Sequence, residues 1–395
     1  MLDVETLGAA LKLAKKGGGV EEGGSGAVID DSKISSSTTW SSQKIVDTLC
    51  PPFTTSGAIV QCTPVANYPL SVQVSWEPRQ EGSGDPSPEN VRPITGYDSL
   101  SLTRCGKNLL DAPDNNSNNI YVWGRQDLYQ NGQPLFPAGN YSFYTPFNFL
   151  QLQTLNEKGE QTGIWYSTTT VTITALESFY LILDSGNAEN DGNLATMCTG
   201  STPTDYEPYQ GDTYDIALPE TVYGGTVDAV TGEGAKTIHR AVLDGTEEWV
   251  LNAQMKDSGI NGYQIALEFL ADDSYTCICS HFGGMKWDGI LKEDSVSVTS
   301  QVMVVRTNGS ETLEDWKSYL AAQYAAGTPV TIAYKLATPT AFHATGGQSL
   351  PALPGTNTVY TDAGVVTVSG LSDTVETFNA LENRIAALEE AAISG

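Results

Sequence analysis

Cys277, Cys279 and His281 place three ligand-type side chains at every second residue. On a straight strand they share one face, but side chains two apart stand about 6.6 Å from one another. Tetrahedral zinc holds each ligand atom within about 2.3 Å of the metal. Three small buried side chains explain the spacing without a bend, so a core role is expected. The stretch Asp184-Ser185-Gly186-Asn187-Ala188-Glu189-Asn190-Asp191-Gly192-Asn193 offers oxygens of the kind calcium uses. It lacks the EF-hand order of ligands and reads equally as a solvated loop, so no cofactor is assigned and bound calcium is the one alternative. Trp123, Trp165 and Trp287, with Tyr121 and Tyr129, could stack on sugar rings, because an amphipathic aromatic plate packs on the apolar face of a pyranose. Any one of them is more readily a core residue. Trp123 is the first candidate, since it follows the polar run Asp114 to Asn119 and so falls at a loop edge.

No signature of catalysis accompanies these groups. The zinc-helix pattern His-Glu-x-x-His, the phosphate-binding Gly-Lys-Ser/Thr loop and the Gly-x-Ser-x-Gly elbow are all missing from the sequence. Three histidines, His239, His281 and His343, restrict relay schemes. A glycosidase needs only two carboxylates, so a polysaccharide depolymerase stays open as an alternative to the expected non-enzyme. Against 47 acidic residues stand 20 basic ones, a net charge of −27. That field repels nucleic-acid phosphates and anionic membrane surfaces, so neither is an expected partner. No apolar run approaches the 18 residues of a membrane span. Lys12, Lys15 and Lys16 follow the first apolar residues instead of preceding them, unlike a secretory leader, and synthesis in a cytosol is expected. Six cysteines scattered over 395 residues read as reduced, buried thiols.

The elements that must position these residues are mostly strands. Gly, Ser, Thr, Asn and Tyr are abundant, the usage of strands joined by many turns. Residues 1–26 read as an amphipathic helix and a Gly-rich linker, and 27–56 as an extended arm that ends in a short helix, Ser42 to Leu49, before Pro51-Pro52. Residues 57–105 read as a β connector, in which Leu70 to Trp76 alternates cleanly. Residues 106–210 read as one aromatic-rich β-sandwich, of jelly-roll or related type. Residues 211–365 read as a second β unit with strands at Tyr263 to Leu270, Tyr275 to Cys279, Ser297 to Arg306 and Val330 to Tyr334. This unit carries one helix, Leu313 to Ala326, capped by Thr312, stopped by Gly327 and Pro329, and lined on one face by Leu313, Trp316, Leu320 and Tyr324. The fold class is therefore mainly β, with two jelly-roll or sandwich-like units and helical termini.

Residues 366–395 carry a heptad seam. Leu371, Phe378, Ile385 and Ala392 take the a positions, and Leu381 and Leu388 take d, with Arg384 at g and Glu389 at e. One Ile-at-a, Leu-at-d heptad leans towards two strands. The run Arg384 to Glu389, however, resembles a compact trimer-specifying pattern, and a homotrimeric coiled coil is expected. A helix folding back on its own chain is the alternative.

Several segments resemble tail proteins of phages and prophages of Gram-positive bacteria. They are Ser83-Gly84-Asp85-Pro86-Ser87-Pro88-Glu89-Asn90-Val91-Arg92-Pro93-Ile94, Gly106 to Leu110, Tyr206 to Tyr209, Gly327 to Pro339, and Leu353 to Tyr360, with Thr38 to Ser42 resembling an N-terminal arm of such chains. The resemblance implies a tail-fibre or baseplate component of the virion, built of carbohydrate-binding-like β-sandwiches such as residues 106–210, made in the bacterial host cytoplasm and bound to other tail proteins. The expected function is attachment to a host-surface polysaccharide. A purely structural adaptor and a tail-associated depolymerase are the alternatives.

Overall fold

The computed structural model describes residues 50–374 apart from short segments within 110–119, 123–134, 145–147, 157, 167–168, 185–195, 202–208, 258–259, 273–274, 287–291 and 308–311. It also describes a parallel pair of short strands, Val28–Ile29 with Thr38–Thr39. The chain is mainly β, with one helix among the described residues.

The strand Pro69–Trp76 alternates exposed and buried side chains as its sequence does. Leu70, Val72, Val74 and Trp76 reach a core they share with Val366, Val368, Val359, Leu100, Leu102 and Ile216. Those partners come from residues 97–105, 211–222 and 357–371, up to about 300 positions away in the chain. Residues 57–105, expected as a connector, thus form part of a sandwich whose other strands lie far downstream. Its first sheet contains Pro52–Gly57, Val365–Leu371, Pro69–Trp76, Gly225–Asp228, Glu233–Leu243 and Val330–His343 as successive neighbours. Its second runs Ile59–Cys62, Asn357–Thr361, Tyr97–Cys105 and Gly211–Val222.

Two β units are inserted into this sandwich. Residues 106–210 leave and return where Cys105 faces Gly211 across an antiparallel ladder. They build a three-stranded and a four-stranded sheet. Phe143, Val171 and Met197 from one sheet share a core with Leu152, Phe179 and Leu181 from the other. The unit covers the outer face of the second sheet of the sandwich, with Phe136 and Tyr360 ring centroids 5.5 Å apart. For that reason every residue of Asn357–Thr361 is buried, whichever face it points to.

The second insertion rides on the long ribbon of Glu233–Leu243 and Val330–His343. Glu233 faces His343 at one end and Leu243 faces Val330 at the other. Midway the register slips: Lys236 faces Thr340 while Ile238 already faces Lys335. Pro339 falls within this bulge, where its missing N–H costs the ladder nothing. Residues 244–329 add a five-stranded sheet and the helix Leu313–Ala325. Thr312 and Asp315 close a reciprocal capping box, and Gly327 turns the chain at φ +79°. Trp316 and Leu320 enter the core as expected, with Leu313 and Tyr319 against it. Tyr324, expected on the same face, lies in the last turn and is 53% exposed. The single strand expected over Ser297 to Arg306 is a hairpin of Ser295–Val298 and Val302–Thr307, in which the Thr299 hydroxyl accepts the Val302 N–H at the reversal.

The first and last strands of the sandwich pair in the same sheet. Pro52 faces Leu371, and Ser372 N–H donates to the Pro51 carbonyl at 2.9 Å, an ordinary ladder distance. Leu371 therefore closes a β-strand and is not the first a position of a coiled coil, because its backbone groups are committed to the sheet. Thr374 is the last described residue. Phe378, Leu381, Arg384, Ile385, Leu388 and Glu389 lie outside the described residues. Following the registers across the sheet, the Glu233 and His343 end of the ribbon lies towards Leu371. Leu243 then lies seven residues beyond Lys236, roughly 23 Å further along at 3.3 Å per residue. The unit of residues 244–329 is held at the end of the sheet opposite the one where Pro52 and Leu371 pair.

Candidate functional site

The two described stacking candidates lie apart. Tyr121 lies on Ile120–Val122 and Trp165 on Gln161–Trp165, the two opposite edge strands of the four-stranded sheet. Three strand spacings, about 14 Å, separate them, too far for one sugar platform. The Trp165 ring folds back over Gly163, where any side chain would collide with it, and packs against the core of its unit. Trp123, Tyr129 and Trp287 lie outside the described residues, as does the oxygen-rich loop after Asp184. Cys277 and Cys279 belong to the core of the distal unit and His281 is buried beside them. Burial pushes the two thiols up to about 12 and about 11, so in this core they are protonated.

The residues that carry the resemblance to tail proteins have structural work. Arg92 donates from Nε to the Glu81 carbonyl at 2.9 Å, from one terminal nitrogen to Gly84 at 2.5 Å, and from the other to Gln80 and Gly82 at 3.3 and 3.1 Å. Asn90 donates to the Ser83 and Asp85 carbonyls. Gly82 and Gly84 take φ of +79° and +77°, which favours glycine. The closed loop then reaches the distal unit: Arg92 N–H donates to Ser280 O at 2.8 Å, and Gln80 Nε2 to Cys279 O at 2.8 Å. The segment is a clamp that orients residues 244–329 on the sandwich. Asn357 likewise ties the Leu353–Gly355 turn through its amide.

Among the described residues, two concavities are considered as ligand sites. The larger, a cleft of 590 Å³, opens between the sandwich and the first inserted unit, with Arg79, Tyr97, Lys158, Glu160 and Asp362 on its walls. Arg79 lies 5.8 Å from the centre of the Tyr97 ring. Burial raises the Asp362 carboxyl above its ordinary value of 3.8, against the opposing hydrogen bonds from Ser101 N–H and the Thr361 hydroxyl. In the unfolded chain this group ionises first. Its contribution to stability is therefore full below pH 3.8 and is lost as the pH rises through the raised folded value. Asp362→Asn, which keeps an acceptor for Ser101, is expected to raise the thermal midpoint at pH 7 and leave no gain at pH 3.5. A lowered midpoint at pH 7 in calorimetry would contradict this.

The smaller pocket, 280 Å³, sits where the bulge opens the ribbon at the base of the distal unit. Glu233–Leu243 brings Lys236, His239 and Arg240 to it, Gly211–Val222 brings Glu220, and Tyr223 and Phe269 supply rings. Arg240 lies 5.1 Å over Tyr223, a cation–π distance. His239 packs 4.8 Å from Phe269, and burial lowers its pKa, so at pH 7 it is neutral. Lys236 pairs with Glu220. Sequence reasoning missed this group, although three basic-type residues within five positions are conspicuous in so acidic a chain.

No family model matches the chain, and neither a characterised protein nor a solved structure matches it. No helix among the described residues is long and apolar enough to cross a membrane.

Proposed function

We propose that the chain is a homotrimeric tail-fibre or baseplate component of a phage-type virion that attaches to host-surface polysaccharide through residues 244–329. The observation that carries this reading is polarity of layout. The first and last strands of the sandwich meet side by side at Pro52 and Leu371, and one β unit is carried to the opposite end of the sheet and clamped there by the Gln80–Arg92 loop. An anchor at one end and a rigidly held β unit at the other is the arrangement an attachment protein needs. The segments similar to tail proteins support the virion setting, and the heptad seam supports the trimer. Three linked weak sugar contacts exceed one by about 10² to 10⁴ in avidity.

The test pairs mass with binding. Light scattering on the full chain is expected to give a trimer, and a chain ending at Asp373, which spares the last strand, is expected to give a monomer. Pull-down of host cells is expected with the full chain and to weaken at least about a hundredfold after that truncation. A monomer in both cases, or no cell binding by the full chain, would sink the proposal. The pairing of the first and last strands also suits an adaptor that bridges virion proteins, and retained virion assembly without cell binding would favour that second reading.

A further inference from the structure

Among the described arginines, Arg240 contrasts with Arg92 and Arg104. Arg92 is saturated by carbonyls, and Arg104 pairs with Asp212 at 2.7 Å while donating to the Pro351 carbonyl. The Arg240 guanidinium is half-buried and stacked on Tyr223, yet among the described residues it makes no hydrogen bond or ion pair, and its Nε is buried. With 47 carboxylates in the chain, a partner would be easy to provide. A half-buried guanidinium without an acceptor carries a desolvation cost that an incoming anion would relieve.

We propose that the 280 Å³ pocket binds an acidic saccharide, with Arg240 taking its carboxylate or phosphate and Phe269 offering an apolar face to the ring. The proposal rests on the attachment reading only for its choice of a sugar as the carrier of the anion. Lys236 supplies a second cation but is held by Glu220. Glu268 also acts on His239, so the pocket is a local basic spot bordered by acidic groups, not an open positive surface. The chain's overall negative charge does not forbid an anion here, since at physiological salt charges are screened beyond about 8 Å. Phe269 is 43% exposed, and its neighbour Leu270 61%, so an apolar sugar face has somewhere to rest. The bulge of Leu336 to Pro339 creates the cavity, as bulges do beside sites.

The test titrates the full chain with glucuronate, glucose 6-phosphate and glucose, read by calorimetry and saturation-transfer NMR. At least one of the two acids is expected to bind about tenfold or more tighter than glucose, and their order tells carboxylate from phosphate. Arg240→Gln is expected to weaken the preferred acid about tenfold or more, with Arg240→Lys between the two. Glu220→Gln, which frees Lys236, is expected to strengthen binding severalfold, an outcome that misfolding cannot imitate. Equal binding of all three sugars, binding of none, or an Arg240→Gln protein that binds like the parent would overturn the proposal. Host-cell pull-down separates it from the attachment reading. Cell binding unchanged by Arg240→Gln, with no acid bound, defeats the pocket and leaves attachment standing. An Arg240-dependent affinity for the acid without cell binding leaves the pocket and defeats attachment.

Discussion

Trp316→Ala is expected to destabilise the distal unit by about 3–4 kcal/mol, the largest effect of any single substitution considered. Trp316 is fully buried and is the hub of an aromatic cluster. Tyr263 stacks on it at 5.7 Å and 4°, Tyr319 lies at 5.8 Å and 21°, Trp249 meets it edge-on at 5.4 Å and 89°, and Phe282 stands at 5.9 Å. Removing the indole leaves a cavity that those four rings cannot all collapse into, and it forfeits pair geometries worth about 0.5–1.5 kcal/mol each. One term opposes this. The indole N–H is buried without an acceptor, so the native state already bears a penalty that alanine removes. Trp316→Phe removes the same N–H while keeping most of the volume and is expected to cost only about 1–2 kcal/mol. Urea unfolding followed by Trp249 fluorescence, with amide exchange over residues 244–329, would check both values. A cost below about 1.5 kcal/mol for alanine would mean that the helix is not pinned by this cluster. Because the unit hangs on a two-stranded ribbon, exchange should accelerate there before it does in the sandwich.

Removing the distal unit altogether is expected to abolish attachment while sparing the rest of the molecule. Lys236 and Thr340 face each other across the ladder just below the bulge. A two-residue Asn-Gly turn can therefore join them in place of 237–339. A cut at Leu243 and Val330 would be worse, since it would bare Ile332, Tyr334 and Leu336, which belong to the distal core. The lower cut leaves the sandwich core of Val72, Val74, Val227, Val366 and Val368 untouched, and the main new exposure is Ile94, which loses Ile238 and Ala333. The shortened chain is expected to keep the parent's oligomeric state and to lose host-cell binding by about 10²-fold or more. A shortened chain that binds cells like the parent would move attachment to the first inserted unit or its 590 Å³ cleft.

Local features were legible without coordinates. The alternation of Leu70 to Trp76 reads directly as a strand with one buried face, and the Thr312 cap and Gly327 stop mark the helix within a residue of its ends. The spacing of Cys277, Cys279 and His281 on one face was legible too, together with the geometric reason to place them in a core. Other readings failed where a local pattern was cut by a distant partner. Leu371 fits a heptad as well as a strand, and the ladder to Pro52, more than 300 positions away, decides between them. The run Ser297 to Arg306 reads as one strand because a three-residue reversal at Thr299 to Gln301 carries neither glycine nor proline.

By itself the sequence determined the β class, the helix and its caps, the acidic charge and the absence of any familiar catalytic signature. These follow from side-chain period, backbone propensity and ionisation, all of which act over a few residues. Only the tertiary structure decided that residues 57–105 complete a sandwich with 211–222 and 357–371, and that the distal unit stands opposite the pairing of Pro52 with Leu371. It alone brought Arg240, Tyr223, Glu220 and Phe269 around one pocket. Strand pairing is chosen by burial summed over the whole core, and every strand with a suitable period competes for it, so no local stretch of sequence specifies the winner.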